Sequence, residues 1–342
     1  MNKKYKQIGQ GIFLLILIVG SLIILNRSRK EAAIYQSDQG TVFGTFYSAT
    51  YQYPQDLKAE IEAELNKVNM SLSPFEESSI ISKINRNEDV KPDSLFLHVF
   101  NLAKEVSAKT YGAFDITVAP LVNAWGFGFK KKMNVDRSVV DSIRKFVDYR
   151  KVRYENGKIV KDDPRTMLDC SAIAKGFGSD VVARFFDRKG IKNYMIEIGG
   201  EIVVKGVNSK KENWRIGVNK PVDDSLAVNT ELETILDVSN IGMATSGNYR
   251  NFYYKNGKKF AHTIDPRIGY PVQHSLLSST VIAPNCATAD AYATSFMVLG
   301  VDSAMEICRK TPGLEGYFIY QGKNGTLETC FTDGMKKYIK EK

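Results

Sequence analysis

Tyr194-Met195-Ile196-Glu197-Ile198-Gly199-Gly200-Glu201-Ile202-Val203-Val204-Lys205 is the stretch on which the reading of the fold turns. Tyr194 to Ile198 and Glu201 to Lys205 are short runs rich in β-branched residues, and each reads as a strand. Trp214 to Val218 reads as another. Further out, Asn156-Gly157 and Asn256-Gly257 each sit between strand-like runs. That is the strongest short hairpin signal, because both residues accept the positive φ angles of a two-residue turn. Leu57, Ile61, Leu65 and Val68 form an apolar stripe at helical spacing, and a second helix follows Pro92 with Leu95, Val99, Leu102 and Val106 inward. Strands outnumber helices and arrive in hairpins, which favours an α+β fold of antiparallel sheets with packed helices over a doubly wound parallel one.

A chain of 342 residues, 43% hydrophobic and 25% charged, has material for one large domain or two small ones. Its net charge of +9 mildly favours anionic ligands or membrane surfaces. Nucleic acid is not indicated as a partner: no basic run is interleaved with aromatics, and no standard binding module is visible. Cys170, Cys286, Cys308 and Cys330 form no CxxC pair, which argues against zinc or thioredoxin-like chemistry. A disulfide is compatible with export, but spacing does not choose its partners.

Lys3, Lys4 and Lys6 precede an apolar run from Ile8 to Leu25. A helix of that length spans about 27 Å, enough for a bilayer core. The run is long for a cleaved signal peptide, no A-x-A site follows it, and no cysteine near its end allows lipoprotein processing. Residues 1–30 are therefore expected to be a transmembrane signal anchor or a signal peptide, residues 31–40 a linker, and residues 41–336 the folded domain outside the cytoplasm.

Five stretches carry chemistry. In Asp290-Ala291-Tyr292-Ala293-Thr294, helical spacing turns the Asp290 carboxylate and Thr294 hydroxyl to one face near the Ala293 carbonyl. All-oxygen ligation suits Mg²⁺ or Ca²⁺; alternatively Asp290 is an acid favoured by a helix dipole. Asp169-Cys170-Ser171-Ala172-Ile173-Ala174-Lys175-Gly176 opens a helix whose N–H groups could meet phosphate beside the Lys175 cation, with Asp169 bonding a ring N–H or a ribose hydroxyl. An ordinary capped helix would look the same. Thr245-Ser246-Gly247-Asn248-Tyr249-Arg250 gathers two hydroxyls, a glycine and an arginine into a loop that could grip phosphate. In the stretch from Ala261 to Pro271, His262 stands near Asp265 and Arg267 as a candidate base or flavin contact, or as a structural histidine. His98 and His274 have no such company. Gly112-Ala113-Phe114-Asp115-Ile116-Thr117 leads into Pro120 to Gly128, where Asp115 could hold a flat ring system or simply make a turn into the core.

In their order and company these stretches resemble the ApbE family, the FAD:protein FMN transferases. The resemblance runs from about Thr41 to Gly300. It also takes in Gly44-Thr45, Ser71-Leu72, Ile84-Asn85 and Gly199-Gly200. The stretch from Ser73 to Ser79 departs from the family's usual aromatic and Asp/Pro pattern.

The resemblance implies a T-fold-related catalytic domain, FAD as substrate and Mg²⁺ at its pyrophosphate. By motif, the Mg²⁺ ligands would be Asp290, Thr294 and the carbonyls of Ala172 and Ala293. FAD would touch Phe43, Ser73, Ala113, Phe114, Asp115, Asp169, Lys175 and Ile264, with Thr245 and Ser246 near the phosphates. The reaction would place FMN on a Thr or Ser hydroxyl of a target flavoprotein and release AMP, with His262 as base, Asp265 as its substitute, and Lys175 or Arg250 assisting. Targets would be subunits of membrane electron-transport complexes, and the enzyme would work outside the bacterial inner membrane. An Mg²⁺-dependent FAD pyrophosphatase would need the same site with water as nucleophile, and a non-catalytic flavin-binding protein is the third reading.

Overall fold

The computed structural model describes residues 13–22, 34–130, 133–222, 231–248, 252–255 and 258–340. Helix α1 covers 13–22. Strands β1 (Tyr35–Val42) and β2 (Thr45–Gln52) lead to helices α2 (Lys58–Leu72), α3 (Ile80–Asn85), α4 (Ser94–Lys109), α5 (Ala119–Trp125) and α6 (Arg137–Arg144). Strands β3 (Val152–Glu155) and β4 (Lys158–Lys161) precede helix α7 (Ser171–Arg188). Then come β5 (Tyr194–Ile198), β6 (Glu201–Lys205), β7 (Trp214–Asn219), β8 (Leu232–Val238), β9 (Ile241–Gly247), β10 (Phe252–Lys255) and β11 (Lys258–Ala261). The chain continues through β12 (Ile264–Asp265), β13 (Tyr270–Pro271), β14 (Leu276–Ala283), α8 (Cys286–Leu299), α9 (Val301–Lys310), β15 (Glu315–Gln321), β16 (Leu327–Phe331) and β17 (Ile339–Lys340).

Eight strands form the main sheet in the order β1-β2-β5-β6-β9-β14-β15-β16. Every neighbour pair in it is antiparallel. The α+β expectation is met, and the strands read at Tyr194 to Ile198 and Glu201 to Lys205 pair with each other. Asn156 and Gly157, at φ 48° and 80°, turn the β3–β4 hairpin. Strands β10 and β11 also pair, although the Asn256-Gly257 turn between them lies outside the described residues.

The sheet alternates its side chains between two layers. One face packs on helices: Tyr47, Tyr51 and Ile196 meet Ile61 and Phe186, while Ala244 and Val281 meet Ala287 and Phe296. The other face, through Val204, Met243, Ile282 and Ile319, packs on the small β17-β8-β7 sheet with Trp214 and Leu236. Helix α7 is buried nearly all round, with Gly190 ending it at φ 78°. In α4 the buried face runs through Phe96, Val99, Phe100, Ala103 and Val106, while Leu95 and Leu102 are only half-buried. The expected stripe is therefore rotated toward the phenylalanines.

Domain limits also shift. Strand β1 begins at Tyr35, within the expected 31–40 linker, and β17 pairs with β8 beyond residue 336. Helix α1 exposes Phe13, Leu14 and Leu17. No helix of the described residues is long and apolar enough to cross a membrane, and the expected span from Ile8 to Leu25 runs outside them. All four cysteines are free thiols, three of them buried.

Candidate functional site

The head of α7 and the first turns of α8 cross at a glycine. A Cβ on Gly176 would stand 2.4 Å from the Cys286 carbonyl oxygen and 2.8 Å from Asp290 Cβ. On Gly242 of β9 it would meet Cys286 N at 2.3 Å. Backbone cannot yield as a flexible side chain does, so both positions require glycine. Helix α8 starts earlier than the sequence suggested, at Cys286, with Asn285 as its N-cap accepting the Thr288 N–H. Asp180 in the middle of α7 accepts the N–H groups of Cys286 and Ala287, each at 2.9 Å, and so ties the head of α8 to that helix. Burial pushes its carboxyl up to about 6.

Asp290 therefore lies in the second turn of α8, with Thr294 one turn on along the same face. Asp290 is buried, and its Oδ2 accepts the Gly176 N–H at 3.0 Å. In a regular helix that N–H serves the Ala172 carbonyl. Asp290 competes for it, which leaves the carbonyl with accepting capacity at the α7 head. A buried carboxylate with a hydroxyl one helical turn on offers hard oxygen atoms, the kind of donor that divalent cations such as Mg²⁺ prefer. Among the described residues no group of three or more His, Cys, Asp and Glu side chains makes a ready metal cage. A cation here would need ligand oxygens to complete its shell.

Lys175 is not a free cation. Its Nζ lies 2.6 Å from Glu201 Oε1, and its side chain is 31% exposed. Burial alone would pull the ammonium down, but Glu201 and Asp290 together hold it above its ordinary value. Burial raises both carboxyls, against the pull of Lys175.

Lys175 opens onto a cleft of about 510 Å³ between the α7 head, the end of α2 and the β1–β2 turn. Phe43 and Ser73 line it too, with Pro74, Phe75 and Ser171. Phe43-Gly44 is a two-residue turn with φ of 52° and 73°, a conformation strained for a bulky residue. The strain aims the Phe43 ring at α7, where a Cβ on Gly178 would come within 2.7 Å of it.

Asp169 is half-buried at the α7 entrance, its Oδ1 accepting the Ser171 N–H and hydroxyl. Asn85 brackets the residue before it, donating to the Leu168 carbonyl and accepting the Leu168 N–H. Ala113, Phe114 and Asp115 are buried behind the α7 head, joined to it by the Asp169 N–H to the Ile116 carbonyl. The Asp115 carboxylate already accepts from the Thr117 N–H, the Thr117 hydroxyl and the Tyr149 N–H. It is thus occupied as the organiser of a turn.

Thr245 and Ser246 belong to β9, not to a loop, and a strand sends them to opposite faces. Ser246 shares the helix-side face of Ala244, while Thr245 bonds Thr280 (Oγ1 to Oγ1, 2.9 Å) on the face away from α7 and α8. Their hydroxyls do not converge on one phosphate. Arg250 lies outside the described residues.

His262 is half-buried just after β11. Asp265 is closed by Arg267: Oδ1 accepts from the Arg267 N–H and Nε, and Oδ2 from Nη2 at 2.8 Å. Both oxygens of Asp265 are thus engaged in holding the turn around Arg267. The Ile264 side chain is buried among Leu121, Trp125 and Val140. His98 stacks on Phe177, and His274 accepts the Leu276 N–H.

Asp180 and Glu201 escaped the sequence reading. Each is an acid inside an apolar element, Asp180 between Phe177 and Val181, Glu201 ahead of Ile202 and Val203. That was their available signal.

Residues 43–318 match the ApbE family. The FAD:protein FMN transferase of Haemophilus influenzae is 36% identical over 96% of this chain and 98% of its own length. That of Escherichia coli K12 is 32% identical over 88% of each. Among solved structures, the flavin transferase ApbE from Vibrio cholerae superposes with a TM-score of 0.81 at 33% identity, covering 90% of this chain and 99% of its own. The apo flavinyl transferase ApbE of Pseudomonas stutzeri does so with a TM-score of 0.79 at 25% identity, over 89% and 96%. With the antiparallel sheet, the cleft and the α7–α8 crossing in place, the match over most of its length makes this chain a member of the ApbE family.

Proposed function

We propose that this chain takes FAD, transfers its FMN half to a Ser or Thr hydroxyl of a target flavoprotein through a phosphoester bond, and releases AMP. The observation that carries the reading is the buried Asp290 carboxylate, which accepts the N–H of Gly176, the residue next to the Lys175 that lines the cleft. Asp290, Thr294 and the carbonyls of Ala172 and Ala293 would hold Mg²⁺, which supplies charge neutralisation at the pyrophosphate. Phe43 and Ser73 line the cleft and would meet the flavin half there, with Asp169 bonded to Ser171 on the same cleft's wall.

The acceptor hydroxyl attacks the phosphorus on the riboflavin side. The new P–O bond forms as the bond to the AMP phosphate breaks, and the hydroxyl proton passes to His262. Lys175 steadies negative charge at the cleft floor. The apolar run from Ile8 to Leu25, led by three lysines, supports a tether to the bacterial inner membrane with the enzyme outside the cytoplasm. Acceptors would be flavoprotein subunits of membrane electron-transport complexes.

The test is to incubate the full chain with FAD, Mg²⁺ and a candidate acceptor, then weigh the acceptor and assay AMP. The acceptor gains one FMN for each AMP released. FMN set free with the acceptor unchanged would identify a pyrophosphatase, and no turnover a flavin-binding protein.

A further inference from the structure

Glu201 opens β6 directly after the Gly199-Gly200 turn and is 3% exposed. Its Oε1 receives the Lys175 ammonium at 2.6 Å, while Oε2 is buried with no hydrogen-bond partner. Its main-chain carbonyl accepts the Ser179 hydroxyl, which fixes the start of the strand. At Gly199, φ is 62°, and a Cβ would lie 2.8 Å from Thr45 Cγ2 and 3.3 Å from Lys175 Cδ. The turn is shaped to let the lysine stem pass.

A buried carboxylate with an unpartnered oxygen is costly. A neutral amide could accept one ammonium hydrogen bond without burying a negative charge. What an anion adds is the ability to hold a cation against a second anion. That competitor is Asp290, which accepts the N–H of Gly176, the residue next to Lys175, and whose charge Lys175 also feels.

We propose that Glu201 is a positioning residue that anchors the Lys175 ammonium away from Asp290, keeping the Asp290 carboxylate open to a divalent cation. The inference rests on the metal reading above. With Glu201 neutral, Asp290 is the remaining acid in the trio, and an ammonium paired with it opposes a cation by charge and by space.

Mn²⁺ titration of the full chain without FAD, followed by the electron paramagnetic resonance signal of the free ion, tests this. Glu201→Gln weakens Mn²⁺ binding about tenfold or more. Adding Lys175→Met to it restores affinity to the wild-type level or better. Unchanged affinity in Glu201→Gln overturns the inference. So does a double variant as weak as Glu201→Gln, the result expected of a direct ligand or a purely structural acid. If Glu201→Gln loses the wild-type circular dichroism spectrum, Lys175→Met is compared with the double variant: equal affinity supports the inference, and a weaker double variant overturns it. Asp290→Ala separates the two readings. If that variant binds Mn²⁺ as wild type does, the metal site itself is wrong. If it loses Mn²⁺ while the Glu201 series stays flat, only the role of Glu201 falls.

Discussion

The trio Asp290, Lys175 and Glu201 and the pair Asp265 and Arg267 are both carboxylate–cation groupings, but they satisfy their charges differently. The trio sets two buried acids against one cation, is assembled from three elements, and leaves Glu201 Oε2 without a partner. The pair is built within three residues, uses both carboxylate oxygens, and leaves the arginine side chain 38% exposed. A buried carboxylate oxygen without a partner is costly, and a fold that keeps one has a use for its charge. A grouping that closes on itself holds a turn; Trp125 Nε1 donates to the Gly269 carbonyl in that same turn.

The largest expected effect breaks the comparison at its centre. Asp290→Ala lowers FMN transfer at least about a hundredfold at ordinary Mg²⁺. Asp290→Asn recovers part of that at high Mg²⁺, and Asp265→Asn costs no more than about fivefold. Mass spectrometry of the acceptor across an Mg²⁺ series reads all three. Equal losses in Asp290→Ala and Asp265→Asn would erase the distinction.

Next in size is the backbone beneath the trio. Gly176→Ala drives a Cβ into the Cys286 main chain and destabilises the fold by about 2–4 kcal/mol. Gly44→Ala meets nothing within 4 Å and bears only the strain of φ 73°, about 1 kcal/mol. Urea unfolding of both checks the ranking. If Gly176→Ala proves the milder, the crossing is looser than its distances imply.

What could be read from the sequence was what local chemistry decides. Runs of β-branched residues and an Asn-Gly turn announce strands and hairpins because the signal lies within ten residues. Asp290 and Thr294 share a face by helical geometry alone. The misreadings have non-local causes. Strand β1 carries Gln36, Ser37, Asp38 and Gln39 and buries little besides Asp38, so an edge strand looks like a polar linker. Thr245 and Ser246 look like partners in a loop until β14 pairs with β9 and alternation parts them. The link from Asp180 to Cys286 joins residues 106 apart, and no spacing rule foretells it.

A third acid sharpens the comparison through pH. Burial raises the Asp115 carboxyl from 3.8 to about 6, against its three hydrogen bonds. Between about pH 4 and 6 the folded chain therefore holds a proton that the unfolded chain releases, so this group's contribution to stability falls as pH rises. Asp115→Asn removes the titration. Its destabilisation relative to wild type is largest near pH 4 and shrinks by about 2 kcal/mol by pH 7. Chemical denaturation at several pH values measures the slope. A difference that grows with pH would mean the hydrogen bonds outweigh burial and the carboxyl is held low.

The smallest effect belongs to Arg267. Its guanidinium clamps both oxygens of Asp265, yet a partly exposed pair is screened by water, and ordering a long side chain offsets the attraction. Arg267→Ala is expected to change stability by under about 1 kcal/mol. Lys175→Met leaves Glu201 and Asp290 buried without their counter-charge and costs about 3 kcal/mol or more, limited only by protonation of an acid. Salt separates the two further. Raising the ionic strength weakens the exposed pair but reaches the buried trio poorly. The Arg267→Ala deficit should therefore fade in high salt while the Lys175→Met deficit persists. Unfolding both variants at low and high salt gives the answer. An Arg267→Ala deficit as large and as salt-resistant as that of Lys175→Met would mean the turn after β12 is no less demanding of its charges than the cleft floor.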